Sequence, residues 1–585
     1  MMITKLTENM LEIVNQDHSM KHYLESLERK IDFTPRSWLY DGEQGNKLMS
    51  PEDILKKWTS ILTEALTNNE RLTALGLNPE QAALIIQFDT AQIAKWGPQG
   101  GHAPMSELLE EVVLPSFKAS AQRMPSAFGR RLWRMAKTRV IRNLIKKVGK
   151  QVLEPASYKH VVDDMRARDT LESNSGFPDF RRRNLPEVKA RAICDAESGA
   201  WKQYPAIALF RTYNGKTRLV WMFPMAANLV EGSYFQPLMS ALMKVTPGEE
   251  DVWTLVDGKY SKSRNNVTHE ADRVDLFVCP WRGFTDVRLA VTSAMDQGFG
   301  LAASDFSSTD AHFQKWATKE VFDVIRQCFK KQYWTGLFES LMHMHEIPLV
   351  IGPDAMITGD HGVSSGSNWT NFVETIFDMI AAEYEMLKVV ENKFYQDYNL
   401  EFFGLYAIGD DQTYCFESKF KEKTVAKLIK GLLNRTGDEI GQEIKAEKTT
   451  VALDSVKTLQ RLFLRDYIRE QDGLLRGVYS TIRALKSSVY PERFHAPSKF
   501  DKDMFCLRQF MILENCVDHP LFNEFVEFIC KGNRHLVPFA KKTRGQLEAI
   551  QRESKHVPGL NSTYNQEKRE SSIADFASIR IAREL

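Results

Sequence analysis

The chain has 585 residues, 43% of them hydrophobic, with 11 Trp and 34 Phe, which is enough apolar material for a sizeable core and excludes global disorder. Its 77 basic and 76 acidic side chains leave a net charge of +1, which excludes the uniformly basic balance of a simple nucleic-acid coat. Seven cysteines make no CxxC pair and no zinc-type Cys/His spacing, and neither a signal-type leader nor a membrane-length apolar run occurs, so a reduced, soluble intracellular protein is expected.

Residues 1 to about 165 read mainly as helix. In PEDILKKWTSILTEAL, for example, Ile54, Leu55, Trp58, Ile61, Leu62 and Leu66 keep helical spacing. Between Arg123 and Lys150 lie ten Lys or Arg and no Asp or Glu, with Trp133, Val140, Ile141, Leu144 and Ile145 interleaved. That pattern predicts a helix with one apolar face and one basic face, the latter either solvated or turned to phosphate. From Ala206 to Phe463 strands and helices alternate irregularly and without repeats, which predicts an α+β core. The tail from Lys531, rich in charge and poor in large apolar residues, reads as partly extended or loop.

Three segments hold carboxylates or small residues that bear on chemistry. In GLAASDFSSTDAHFQKWATKEVFDVI a small-residue strand ends at Asp305 and a helix begins near Ser308, so Asp305 stands at a sheet edge, a usual place for ligand sites. Asp310 fits a capping box with Ser307, a purely structural alternative. In TGDHGVSSGSNWTNFVETIFDMI, Gly359, Gly362 and Gly366 with Ser364, Ser365 and Ser367 read as a mobile loop that can approach a substrate backbone, or as a linker or helix cap. In EFFGLYAIGDDQTYCFE two apolar strands flank Gly409-Asp410-Asp411, which suits a hairpin turn. Phosphoryl transfer with two divalent ions needs carboxylates from separate elements, a requirement that Asp305 on one strand and Asp410 on a hairpin of the same sheet meet, with Asp411 beside them.

In that order, Asp-x4-Asp, Ser-Gly-x3-Thr and Gly-Asp-Asp resemble the palm motifs of viral RNA-dependent RNA polymerases. The resemblance implies that Asp305 and Asp410 bind two magnesium ions, replaceable by manganese, with Asp411 assisting. NSGFPD (Asn174, Ser175, Gly176, Phe177, Pro178 and Asp179) looks like the template-entrance motif that touches RNA. RTYNGKTRLVWMFP resembles the basic fingers motif, which implies triphosphate contacts for Lys216 and Arg218 and a weaker one for Arg211; alone, GKTR is an ordinary hairpin sequence. GQEIKAEKTT resembles the motif whose lysine protonates pyrophosphate, matched by Lys448 with Lys445 as the fallback. LFLRDY resembles the element at the palm and thumb junction, with Arg465 on the primer phosphate. Asp310, Ser365, Gly366 and Thr370 fall where ribose and nucleotide backbone are read, and a reverse transcriptase of this plan would carry a bulky aromatic in place of Asp310.

One residue departs from the pattern: many relatives carry Asn four residues after the motif Thr, where this chain has Glu374. Glu374 close to Asp310 demands either a raised pKa or a bridging donor such as Thr370 or Asn371. The likeness spans about 174–467 and, within the family, looks most like polymerases of small double-stranded RNA viruses of the picobirnavirus and partitivirus group. It implies a right-hand α+β fold of fingers, palm and thumb with an antiparallel palm sheet, closed by fingertips. The expected divisions are a helical layer at 1–165 bridging fingers and thumb, fingers at 166–299, palm at 300–467 with an inserted fingers segment at about 315–358, and thumb and tail at 468–585. The tail is expected in the product cavity or beneath the first nucleotide. The basic stretch 123–150 and the triplet Arg181-Arg182-Arg183 are expected to line the RNA channel. Implied partners are an RNA template, nascent RNA, ribonucleoside triphosphates and a viral capsid protein, for a monomer in the host cytoplasm inside the virion core. Another metal-dependent nucleotidyl transferase, such as a reverse transcriptase, and a non-catalytic RNA-packaging protein are the rival readings.

Overall fold

The computed structural model describes residues 1–33, 36–43, 47–119, 123–168, 170–244, 255–256, 259–260, 281, 283–307, 309–444, 448–493, 495–557, 560 and 571–585. They group into two compact units, one of 1–30, 103–210 and 219–458, the other of 31–102, 211–218 and 459–585. No described helix is long and apolar enough to cross a membrane. The six described cysteines are all unpaired.

The first unit is built on two sheets. One runs in the order Met2–Lys5, Ala355–Thr358, Leu349–Val350, Ala206–Tyr213, Lys216–Met222, the tip of its last hairpin grouping with the second unit. Its first strand departs from the helical expectation for the amino terminus: Met2–Lys5 pairs antiparallel with Ala355–Thr358, a partner too far along the chain for local periodicity to reveal. The other sheet runs in the order Glu443–Ile444, Gly300–Ser307, Asp411–Glu417, Glu401–Ile408, and Thr450–Ala452 also pairs with Gly300–Ser307. Every pairing in it is antiparallel, as expected. Strand Gly300–Ser307 is buried along almost its whole length, which explains its run of Gly, Ala and Ser.

Against strand Glu401–Ile408 packs helix Thr370–Glu391, and helix Arg131–Val148 packs on that helix in turn. The latter buries Trp133, Ala136, Val140 and Leu144, with Val140 and Leu144 contributing about 1.5–3 kcal/mol each. Its basic face is divided. Arg130 pairs with Glu439 at 3.1 Å, Arg131 with Glu391 at 2.5 Å, Lys137 with Glu320 and Asp323 at 2.9 Å each, and Arg139 with the buried Glu383 at 3.2 Å, while Lys147 donates to the Lys244 carbonyl at 2.5 Å. Four of the ten cations thus pair with acids, among them the buried Glu383 that would be expensive to bury alone, and Lys147 holds a carbonyl. The others, Arg123, Arg134, Arg142, Lys146 and Lys150, are exposed.

The second unit is mostly helical, with helices Pro51–Thr67, Pro79–Thr90, Thr481–Val489, Lys502–Glu514 and Phe522–Cys530 around one core that holds Trp58, Ile85, Leu485, Phe510 and Phe525. The tail does not read as its composition suggests. It forms helices Leu536–Ala540, Arg544–Ser554 and Ala577–Glu584, and Phe539, Leu547, Ile573, Phe576 and Ile579 join that core. This corrects the expectation of a polar tail, because charged residues occupy only the outward faces of these short helices.

Candidate active site

The turn that joins Glu401–Ile408 to Asp411–Glu417 has two central residues, Gly409 and Asp410, since Ile408 is paired with Asp411. Gly409 takes φ +58° while Asp410 stays out of the left-handed region, the pattern of a type II′ hairpin turn with glycine first. A Cβ on Gly409 would stand 2.7 Å from Asn371 Nδ2. The Gly409 N–H donates to Thr375 Oγ1 at 2.7 Å, which ties the turn to helix Thr370–Glu391.

Asp411 opens the returning strand directly opposite Asp305. Strand Gly300–Ser307 runs two residues past Asp305, so this aspartate lies within the sheet and not at the strand's end. Carboxylate oxygens of Asp305, Asp410 and Asp411 all lie within 4.8 Å of one another, and they form the only such acid group among the described residues. Lys448 Nζ donates to Asp305 Oδ2 at 2.9 Å and the Thr309 hydroxyl donates to Asp410 Oδ2 at 3.2 Å. Lys445 lies outside the described residues.

Burial, then Asp410 and Asp305, push Asp411 up to about 8, with Lys448 opposing. Three converging carboxylates with one lysine among them form an oxygen donor set for a divalent cation. A cation arriving there displaces the Asp411 proton, so affinity for Mn2+ should rise by up to about tenfold per pH unit below about 8 and level off above it. Calorimetric titration at pH 6.5, 7.5 and 8.5 reads this, and a pH-independent affinity would mean that Asp411 is ionised beforehand.

Behind this group, helix Thr370–Glu391 buries Glu374, Asp378 and Glu385, besides the Glu383 that pairs with Arg139. Burial first, and neighbouring carboxylates after it, raise Glu374 and Asp378 well above the usual range; for Glu374 the first of these neighbours is Asp310. Burial pushes Glu385 up to about 8. Burial thus favours the protonated form of each, which lessens the charge behind the aspartates. Of the two expectations for Glu374, the raised pKa is the one realised. Thr370 Oγ1 instead donates to the Ser364 carbonyl at 2.7 Å, and Asn371 sits at the Gly409 turn. Asp310 is exposed, and the Ser307 hydroxyl is buried without a hydrogen-bond partner, so the capping box does not form. Gln412 is buried: its Oε1 accepts from the Tyr414 hydroxyl at 2.5 Å and from the Ser304 hydroxyl at 3.4 Å, and its Nε2 donates to the Asp378 carbonyl at 3.4 Å. It stitches the two strands to the helix behind them.

The glycine-serine loop is not loose. Ser364 Oγ donates to the Met344 carbonyl at 2.9 Å, and Ser365 Oγ contacts Leu219 O and Trp221 N at 3.4 Å each. Gly366 and Gly176 abut one stretch of backbone. A Cβ on Gly366 would stand 1.7 Å from the Trp221 carbonyl oxygen, and one on Gly176 2.5 Å from the Phe223 carbonyl oxygen. Ser175, Gly176 and Phe177 are buried, whereas Asn174 and Pro178 are half-exposed. Arg183 corrects the channel-lining expectation for its triplet, because its guanidinium turns inward to the Asn174 carbonyl at 3.0 Å and to Asn228 Oδ1 at 2.9 Å. Burial pulls it down to about 10, still a cation. Asn228 and the buried Glu231, which take part in the same network, escape a motif reading, since Asn-x-x-Glu inside an apolar helix resembles no known signature.

In the second unit, Lys216 and Arg218 are exposed on the hairpin tip, and the Arg218 guanidinium stacks 4.9 Å from the centre of the Tyr213 ring. Arg211 is engaged by both carboxylate oxygens of Glu492, with Nη2 to Oε2 at 2.9 Å. The Arg465 carbonyl accepts from Gln81 Nε2 at 2.9 Å.

Residues 213–486 match the viral RNA-dependent RNA polymerase family. The chain is 25% identical over 381 residues to a "potential RNA-dependent RNA polymerase" of a human picobirnavirus, a match that covers 62% of each chain. It is 27% identical over 206 residues to an "RNA-directed RNA polymerase" of Cryptosporidium parvum virus 1, covering 35% of this chain and 33% of that one. It thus spans less than two thirds of either relative's length. The crystal structure of the RNA-dependent RNA polymerase of a human picobirnavirus superimposes with a TM-score of 0.73 at 19% identity, over 99% of this chain and 100% of the other, which shows a shared fold. The matched segment holds the three aspartates that the fold brings together, and over it the chain is similar to the viral RNA-dependent RNA polymerases.

Proposed function

We propose that the protein copies an RNA template into RNA by nucleotidyl transfer from ribonucleoside triphosphates. The observation that carries this reading is the convergence of Asp305 and Asp411 from two neighbouring antiparallel strands with Asp410 from the hairpin turn. Asp305 and Asp410 would hold two Mg2+, or Mn2+ in their place, with Asp411 in support. Bound there, the ions acidify the primer 3′-hydroxyl and offset charge on the triphosphate and the departing pyrophosphate.

The chain's own groups do the rest. The primer oxygen forms a bond to the α-phosphorus as the bond to pyrophosphate breaks, and Lys448 gives its Nζ proton to that leaving group. Lys216 and Arg218 neutralise phosphate charge. Arg211, already held by Glu492, has the smaller part. Asn174 and Pro178 meet the template on a segment shaped by Ser175, Gly176 and Phe177, and Arg465 meets the primer phosphate. Base choice belongs to template pairing, so these contacts are to backbone. The palm is 300–467 with its insertion at about 315–358, the fingers are 166–299, and 468–585 is the thumb. Residues 1–165 link fingers to thumb. The surroundings are those of a monomer within a double-stranded RNA virion beside its capsid protein.

Asp310 accepts from the ribose 2′-hydroxyl, and Glu374 stands where relatives carry an amide; Ser365, Gly366 and Thr370 shape the sugar's surroundings. Asp310→Ala should therefore reduce discrimination against deoxyribonucleotides by about tenfold, the worth of one hydrogen bond to a charged group. Competition between ATP and dATP in single-nucleotide extension measures it, and unchanged selectivity removes Asp310 from sugar recognition. The reading as a whole is tested by incubating the purified protein with a short single-stranded RNA, Mg2+ and labelled ribonucleotides, with and without primer. Labelled RNA supports it, whereas exclusive use of deoxyribonucleotides identifies a reverse transcriptase. RNA binding without synthesis identifies a packaging protein.

A further inference from the structure

A carboxylate buried in an apolar helix is costly unless donors converge on it, and the donors reveal what it holds. Glu231 is 1% exposed in helix Met225–Met243. Its Oε1 accepts from Ser367 Oγ at 2.5 Å, and its Oε2 accepts from the Asn368 N–H at 2.8 Å and from Asn228 Nδ2 at 3.1 Å. Asn228 extends the chain of bonds in two directions. Its Nδ2 also donates to the Gly366 carbonyl at 3.1 Å, and its carbonyl accepts from Asn368 Nδ2 at 3.1 Å. Its Oδ1 accepts from Arg183 Nη2, whose Nε donates to the Asn174 carbonyl.

We propose that Glu231 is a positioning residue that holds the Ser365–Asn368 loop and, through Asn228 and Arg183, the Asn174–Pro178 segment in one arrangement, so that nucleotide and template are placed together. This rests on the polymerase reading, because the two segments it joins are the ones assigned there to the incoming nucleotide and to the template. The network leaves few alternatives for the loop: Ser367 and Asn368 directly follow Ser365 and Gly366, and the Cβ-free approach of Gly366 to Trp221 permits little sliding. A change at either end is therefore transmitted to the other through four hydrogen-bonded residues.

Three variants test this in steady-state extension and in template-RNA binding, with thermal melting to confirm folding. In Glu231→Gln the amide oxygen can stay on Asn368 and Asn228 only if Nε2 faces Ser367, whose hydroxyl must turn from donor to acceptor while every bond loses its charge assistance, so the nucleotide KM should rise by about fivefold, kcat should change by less than about threefold, and the template Kd should weaken by about threefold or more. Ser367→Ala keeps the carboxylate and removes one loop contact, and should raise KM by about threefold. Arg183→Lys cannot make both of the arginine's bonds, and it should weaken template binding and also raise the nucleotide KM by about threefold. That last, remote effect is the one a local structural role does not produce. The proposal is overturned if Arg183→Lys affects template binding alone, or if Glu231→Gln folds and leaves both constants within twofold of the parent. Should Glu231→Gln fail to fold, Ser367→Ala and Arg183→Lys decide the matter between them. A wild-type protein that makes no RNA would defeat the polymerase reading instead.

Discussion

Replacing Asp410 with Asn is expected to lower RNA extension in Mg2+ by about 10³-fold, on the order of 4 kcal/mol of transition-state stabilisation, while RNA affinity stays within about twofold. Asn keeps the size of the side chain and removes the charge that a shared metal ligand must carry. Unfolding does not account for such a loss, since Asp410 and Asp305 are among the causes that push Asp411 up. Removing one of these charges relieves repulsion, so the melting temperature should hold or rise. Primer extension, filter binding and calorimetry on one preparation read all three quantities. Undiminished synthesis by this variant would remove Asp410 from the metal site.

The second large effect concerns stability. Asp89 is fully buried in the second unit. Its Oδ1 accepts from Ser480 Oγ at 2.6 Å, Thr481 Oγ1 at 3.2 Å and the Ile482 N–H at 3.3 Å, and its Oδ2 contacts His519 Nε2 at 2.7 Å. His519 Nδ1 accepts from the Leu521 N–H, so Nε2 carries the proton that Asp89 receives. The network lies beside the core, because Thr481 Oγ1 also accepts from Trp58 Nε1 at 2.8 Å, and Trp58 packs 4.8 Å from Phe525. Asp89→Ala strands several buried donors at once and should cost about 3–5 kcal/mol. Urea denaturation measures this, and a loss below about 1 kcal/mol would mean that water reaches these donors.

Much of the site could be read from residue order. The hairpin is legible because apolar strands flank a glycine and two acids, and Asp305 because its strand is made of small residues. Asp310, Ser365, Gly366 and Thr370 were marked only by the resemblance of their motifs to a known family. Other features left no local trace. Gln412 bonds to Ser304 on another strand and to Asp378 on the helix behind, and Glu231 sits in a helix that is apolar all round. The amino-terminal strand and the helical tail misled the reading for one reason: each is defined by what it packs against. Charge density likewise hid the Leu547 and Ile579 faces, and it overstated the basic stretch 123–150, in which Arg130, Arg131, Lys137 and Arg139 neutralise acids on neighbouring helices.

By itself the sequence pointed to Asp305, Asp410 and Asp411, because a hairpin turn and a small-residue strand are short-range outcomes of residue type and spacing and their order resembles a known set of motifs. Only the tertiary structure decided what state those groups are in. The opposite register of Asp305 and Asp411, the burial that raises the pKa of Glu374 and Asp378, and the Glu231 network arise from residues distant in the chain. Desolvation and charge proximity are properties of packing, and packing is what a linear pattern does not contain.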